Sequence, residues 1–104
     1  MSTVSTHVLD QATGKPAVGM VVRLSVWLEE EWQRLAESVT DANGRITSFP
    51  PVGLGRHRLG FQTGEHGNPL YPYVPVVFDV DEADGHYHIP LLLSPYGYTT
   101  YRGS

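Results

Sequence analysis

Apolar side chains at every second position limit this chain more than any other feature. From Met20 to Leu28, Val22, Leu24, Val26 and Leu28 fall on one parity, with Val21, Arg23, Ser25 and Trp27 on the other. That is the pattern of a strand with one face on a core. It recurs near the C-terminus, where Tyr87, Ile89, Leu91 and Leu93 form one face and His86, His88, Pro90 and Leu92 the other. A helix across residues 26 to 38 would pair Trp27, Glu30, Glu31 and Arg34 at helical spacing. The alternation upstream and the β-branched residues favour a hairpin, with Glu29-Glu30-Glu31 as its solvated acidic loop.

Turn chemistry cuts the rest of the chain into short extended pieces. Eleven glycines and eight prolines are spread over 104 residues. They punctuate turns at Gln11–Pro16, Thr40–Arg45, Pro50-Pro51 and Ser94-Pro95-Tyr96-Gly97. Between them the pattern predicts strands over Thr3–Asp10, Met20–Leu28, Trp32–Thr40, Ile46–Phe49, Gly55–Gly64 and Val74–Val80, and then the terminal hairpin. Only Glu65–Tyr73 has room for a helix, and its glycine and prolines allow one turn at most. The result is one all-β domain spanning 1–104, with about eight short strands that close most simply as a two-sheet antiparallel sandwich.

Composition removes several function classes. The chain has no cysteine, so disulfides, thiolate nucleophiles and cysteine metal sites are excluded. Seven basic against eleven acidic residues give a net charge of −4, which predicts no nucleic-acid partner, since phosphate neutralisation needs a clustered positive patch. No apolar run approaches the roughly 20 residues that span a bilayer, so no membrane association is expected. The opening residues lack the basic and apolar stretches of a secretory signal, and the closing ones are not a peroxisomal address. A cytoplasmic protein is expected.

Five histidines are available for chemistry. Taken singly, His57 and His66 read as ordinary surface or core residues. His86 and His88 share a strand face that a buried sheet would fill with aliphatics. Such a pair can hold a metal with a third ligand, or supply a general base. Arg45, delivered by the Asn43-Gly44 turn, reads as a solvated charge or as an anion anchor. The closing Tyr101-Arg102-Gly103-Ser104 reads as the end of an edge strand or as a functional tail. No nucleophile elbow or phosphate loop is present, so an enzyme built on this chain would attack with water directly.

The segments Ser5-Thr6-His7-Val8-Leu9-Asp10, Gly14-Lys15-Pro16-Ala17, Asp41-Ala42-Asn43-Gly44-Arg45, Leu70-Tyr71-Pro72-Tyr73-Val74 and the terminal hairpin resemble the transthyretin-like 5-hydroxyisourate hydrolases of urate breakdown. The resemblance covers essentially the whole chain. It implies a transthyretin-like sandwich of two four-stranded antiparallel sheets with at most one short helix, assembled as a homotetramer, a dimer of dimers enclosing a channel. The segment before Leu70 is shorter than is usual in that family, which reduces the helix to a turn. The resemblance also implies catalytic roles for His7, Arg45 and His88, substrate contacts from Tyr101, Arg102, Gly103 and Ser104, and no cofactor or metal. The implied reaction is hydrolysis of 5-hydroxyisourate by water, without a covalent intermediate.

Overall fold

The computed structural model describes all residues, 1–104, as ten strands in two stacked sheets. The first sheet contains β3 (Val21–Leu28), β4 (Glu31–Val39), β6 (Gly55–Phe61) and β7 (Val74–Val80), ordered β4-β3-β6-β7 and antiparallel throughout. The β3–β4 hairpin turns on two residues, Glu29 and Glu30, both at positive φ (53° and 62°). Such a turn matches the twist of the flanking strands. Trp27 sits opposite Trp32 in that hairpin, with ring centroids 5.1 Å apart.

The second sheet is built around β1 (Thr3–Asp10). One side of β1 pairs antiparallel with β2 (Lys15–Pro16) and β5 (Arg45–Ile46). The other side pairs in parallel with β8 (His86–His88) and β9 (Leu91–Ser94), and β10 (Gly97–Thr100) closes the edge against β9. The expected two-sheet sandwich is therefore present, but this sheet has six segments and mixed direction instead of four antiparallel strands. The reason is connectivity. Neighbours joined by tight turns must be antiparallel, whereas β1 and β8 are separated by the whole first sheet and are free to run the same way.

Pro90 cannot donate to a ladder, and it splits the last run into β8 and β9. The carbonyls on either side of that break are taken up by hydroxyls, Thr6 Oγ1 to Ile89 O at 2.6 Å and Thr100 Oγ1 to Pro90 O at 2.8 Å. No helix forms; Glu65–Tyr73 is turns and bends, and no helix is long and apolar enough to cross a membrane.

Between the sheets lies one cluster of 17 buried residues, including Val22, Leu24, Leu59, Phe61, Tyr87, Ile89, Leu91 and Leu93. Burying each large side chain contributes about 1.5–3 kcal/mol. Val22, Leu24 and Val26 are buried as the alternation predicts. Ser25, expected to face outward, is also buried beside a register shift in the β3–β4 ladder, and Leu28 is 48% exposed because it already belongs to the hairpin end. His57 is a satisfied core residue: it is 1% exposed, lies 3.0 Å from Gly55 O through Nδ1, and stacks on Phe78.

Candidate active site

A ladder position and a turn bring the first two candidate residues together. In the antiparallel register of β1 and β5, His7 lies opposite Arg45. The turn that starts β5 is held by Asp41, whose Oδ1 accepts from the backbone N–H of Asn43 (2.8 Å) and of Arg45 (3.0 Å). Those two bonds hold the Asp41 carboxyl below its ordinary pKa, with Arg45 the larger contributor. Gly44 sits at φ +75°, and a Cβ there would lie 2.5 Å from Val8 O. Only glycine fits both the backbone angle and the close approach. The Arg45 guanidinium is exposed and makes no ion pair within the protomer.

The third candidate arrives on the opposite edge of β1. The parallel register sets Thr3 against His86 and Ser5 against His88. The two imidazoles stack with centroids 6.5 Å apart and planes 10° from parallel. Ser5 Oγ lies 2.8 Å from His88 Nδ1, and Nε2 of that ring makes no hydrogen bond within the chain. The His88 pKa is lowered from 6.5, first by burial and then by the positive charges of Arg45, His86 and His7. A neutral imidazole is thus favoured, in the form able to accept a proton.

Arg45, Thr47, Phe49, Thr3, Val4, Ser5, His86, His88 and Ser104 line an open cavity of about 280 Å³. Only Val4 and Phe49 among them are apolar. The closing tetrapeptide is divided. Gly103 pairs with His88, donating its N–H to His88 O at 2.8 Å, and a Cβ on Gly103 would lie 2.7 Å from His88 Cδ2. Ser104 enters the cavity. Arg102 turns away: its guanidinium lies 4.3 Å from the Tyr87 ring centroid, and Nη2 donates to Glu82 Oε1 and His86 O, both at 3.1 Å. Within one protomer, Tyr101 and Arg102 line a second, mainly apolar cavity with Val76, Phe78, Tyr87 and Ile89.

A model of the HIUase/Transthyretin family matches residues 4–103. The chain belongs to that family. It is 48% identical to the 5-hydroxyisourate hydrolase of Caulobacter vibrioides, over the full length of both chains. Its fold is similar to that of Klebsiella pneumoniae 5-hydroxyisourate hydrolase, with a TM-score of 0.85 and 41% identity, again covering all of both chains. It is also similar to sea bream transthyretin in complex with thyroxine, with a TM-score of 0.88 and 28% identity, covering 97% of this chain and 94% of that one. One scaffold in this family thus holds both hydrolases and a thyroxine-bound protein, and the cavity side chains must decide between them.

Three of the cavity's polar residues, Thr3, Ser5 and Thr47, were not singled out from the sequence. Thr3, Ser5 and His7 do share one parity of β1, a polar row on a strand whose other parity is Val4, Thr6 and Val8. What the family's sequence pattern leaves hidden is that this row lies beside His86 and His88. No group of three His, Cys, Asp or Glu side chains is arranged to hold a metal ion.

Proposed function

We propose that this chain hydrolyses 5-hydroxyisourate, opening the N1–C6 amide bond to give 2-oxo-4-hydroxy-4-carboxy-5-ureidoimidazoline. The observation that carries the reading is the pairing, in one polar cavity, of an uncommitted guanidinium at Arg45 with an imidazole at His88 biased to its neutral form. Ring opening needs a base for the attacking water and a cation for the oxyanion that develops on C6. Imidazole suits the first task near neutral pH. A forked, permanently charged guanidinium suits the second and holds a carbonyl edge with two parallel bonds.

In this mechanism water is activated by His88, with His7 orienting it from the ladder position beside Arg45. The nucleophile is water itself, so no acyl-enzyme forms. Gly103 holds the His88 backbone, Ser104 touches the ring edge, and Arg102 anchors the tail through the His86 carbonyl. Tyr101, 53% exposed, contributes to substrate binding across a subunit boundary. The proposed assembly is a homotetramer, a dimer of dimers, in which the unpaired edges of β7 and β10 find partners. A cytoplasmic location is proposed with it.

A carrier of an apolar ligand on the same fold would need an apolar lining, and the cavity beside β1 is polar. The experiment is to follow the ultraviolet absorbance of freshly generated 5-hydroxyisourate with and without the protein. Wild-type protein is expected to accelerate its loss, and Arg45→Ala and His88→Ala each to cut kcat/KM by about 100- to 1000-fold while remaining folded. No acceleration by the wild-type protein would end the reading.

A further inference from the structure

Two hydroxyls of β1 and two imidazoles of β8 make an unbroken row along one wall of the cavity. Thr3 Oγ1 lies 2.5 Å from His86 Nδ1, His86 Nε2 lies 3.2 Å from Ser5 Oγ, and Ser5 Oγ lies 2.8 Å from His88 Nδ1. Ser5 is 6% exposed, so its hydroxyl finds its partners among these rings. A hydroxyl has one proton to give and lone pairs to accept with. Between two imidazoles it therefore donates to one and accepts from the other. The direction follows from the chemistry at the far end. A base acting through His88 Nε2 must carry its proton on Nδ1. Nδ1–H then donates to Ser5, Ser5 O–H donates to His86 Nε2, and His86 Nδ1–H donates to Thr3 Oγ1. All three contacts in the row are made in that arrangement, and His88 Nε2 is left free to accept from water.

We propose that Ser5 and His86 form a proton relay behind His88, an inference that rests on the hydrolase reading of the cavity. As the water O–H bond breaks and oxygen bonds to C6, His88 Nε2 gains the proton. His88 Nδ1–H passes to Ser5 Oγ, and the Ser5 proton passes to His86 Nε2. His88 and Ser5 end neutral, and His86 holds the charge. The reverse sequence returns a proton from His88 Nε2 to the departing N1 as the C6–N1 bond breaks.

The surroundings of His88 explain the gain. The groups that shift it are Arg45 from β5, His7 from β1 and His86 from its own strand, all cations or potential cations, and burial adds to their effect. An imidazolium at His88 is therefore disfavoured beside the guanidinium. His86 is exposed, with its ring centre 6.5 Å from that of His88, and water can solvate the charge there. Ser5 and His86 act through His88 and are positioning residues.

The test combines nitrogen-15 NMR of the histidine side chains with kinetics of three variants. In the wild-type protein His88 is expected as the Nδ1–H tautomer, and Ser5→Ala is expected to shift it toward Nε2–H. Ser5→Ala and His86→Gln should each lower kcat by about tenfold, a part of what a positioned base supplies, with KM little changed. The double variant should be no worse than either single one, since both break one unit. The rate in mixed light and heavy water should indicate more than one moving proton in the wild type and a single one in the variants. A wild-type Nε2–H tautomer, or additive losses, or unchanged kcat in the folded His86→Gln protein would overturn the relay. The tautomer is read without substrate, so an inactive wild type would count against the hydrolase reading and not against the hydrogen-bonded row.

Discussion

The role proposed for His88 rests on what surrounds it, and the consequence is a pH dependence of known sign. Its pKa in the folded chain lies below 6.5. Above 6.5 the ring is neutral in both folded and unfolded states and contributes nothing to stability. As pH falls below 6.5 the unfolded chain takes up the proton first, so the folded state loses stability in that window. The same shift keeps the base available there. The acid limb of kcat/KM should thus lie below 6.5, and Arg45→Gln should move the NMR titration midpoint of His88 upward by removing one of its positive neighbours. A midpoint above 6.5 in the wild type would contradict the electrostatic picture. At this scale His88 and Arg45 could be picked out as candidates, because an alternating histidine pair and an Asn-Gly turn followed by arginine are local patterns, but their roles come only from the family resemblance. Ser5 could not be, because its importance comes from a parallel register linking positions 5 and 88, which no local pattern encodes.

Among the elements, β1 and the closing segment do most to shape the site. β1 sets His7 opposite Arg45 on one edge and Ser5 opposite His88 on the other, and its Thr3, Val4 and Ser5 line the cavity while His7 does not. The hydroxyls of Thr6 and Thr100 hold the carbonyls at the Pro90 break, which keeps β8 aligned although it is only three residues long. Gly103 then presses against the His88 ring, with no room for a Cβ. Gly103→Ala should displace that ring and cut kcat/KM by roughly 100-fold through misplacement of the base. The melting temperature should hardly change, because the contact lies at a sheet end, outside the core; wild-type kinetics in this variant would remove Gly103 from the account. Strand positions were readable from alternation: β1 and β7 have the boundaries expected. The direction of β1 against β8 and β9 was not readable, since turn chemistry governs only strands that follow one another.

In the whole molecule, both sheets end on strands with free hydrogen-bonding groups, β10 in one and β4 and β7 in the other. Pairing of β10 and of β7 with their copies would satisfy those edges and bring a second subunit toward Tyr101. Light scattering should therefore give a particle of four chains of 11.5 kDa each, and a monomer at working concentration would leave Tyr101 without the neighbour its role requires. The net charge of −4 and the absence of cysteine narrow the function classes without naming a partner. Assembly depends on matching surfaces between copies, which one chain's pattern does not express. The most direct measurement is a crystal structure with a stable oxopurine analogue of the substrate. The account predicts the ring in the β1 cavity, its carbonyl edge on the Arg45 guanidinium and its C6 position facing His88 Nε2. An analogue seated elsewhere, with Arg45 and His88 untouched, would contradict it.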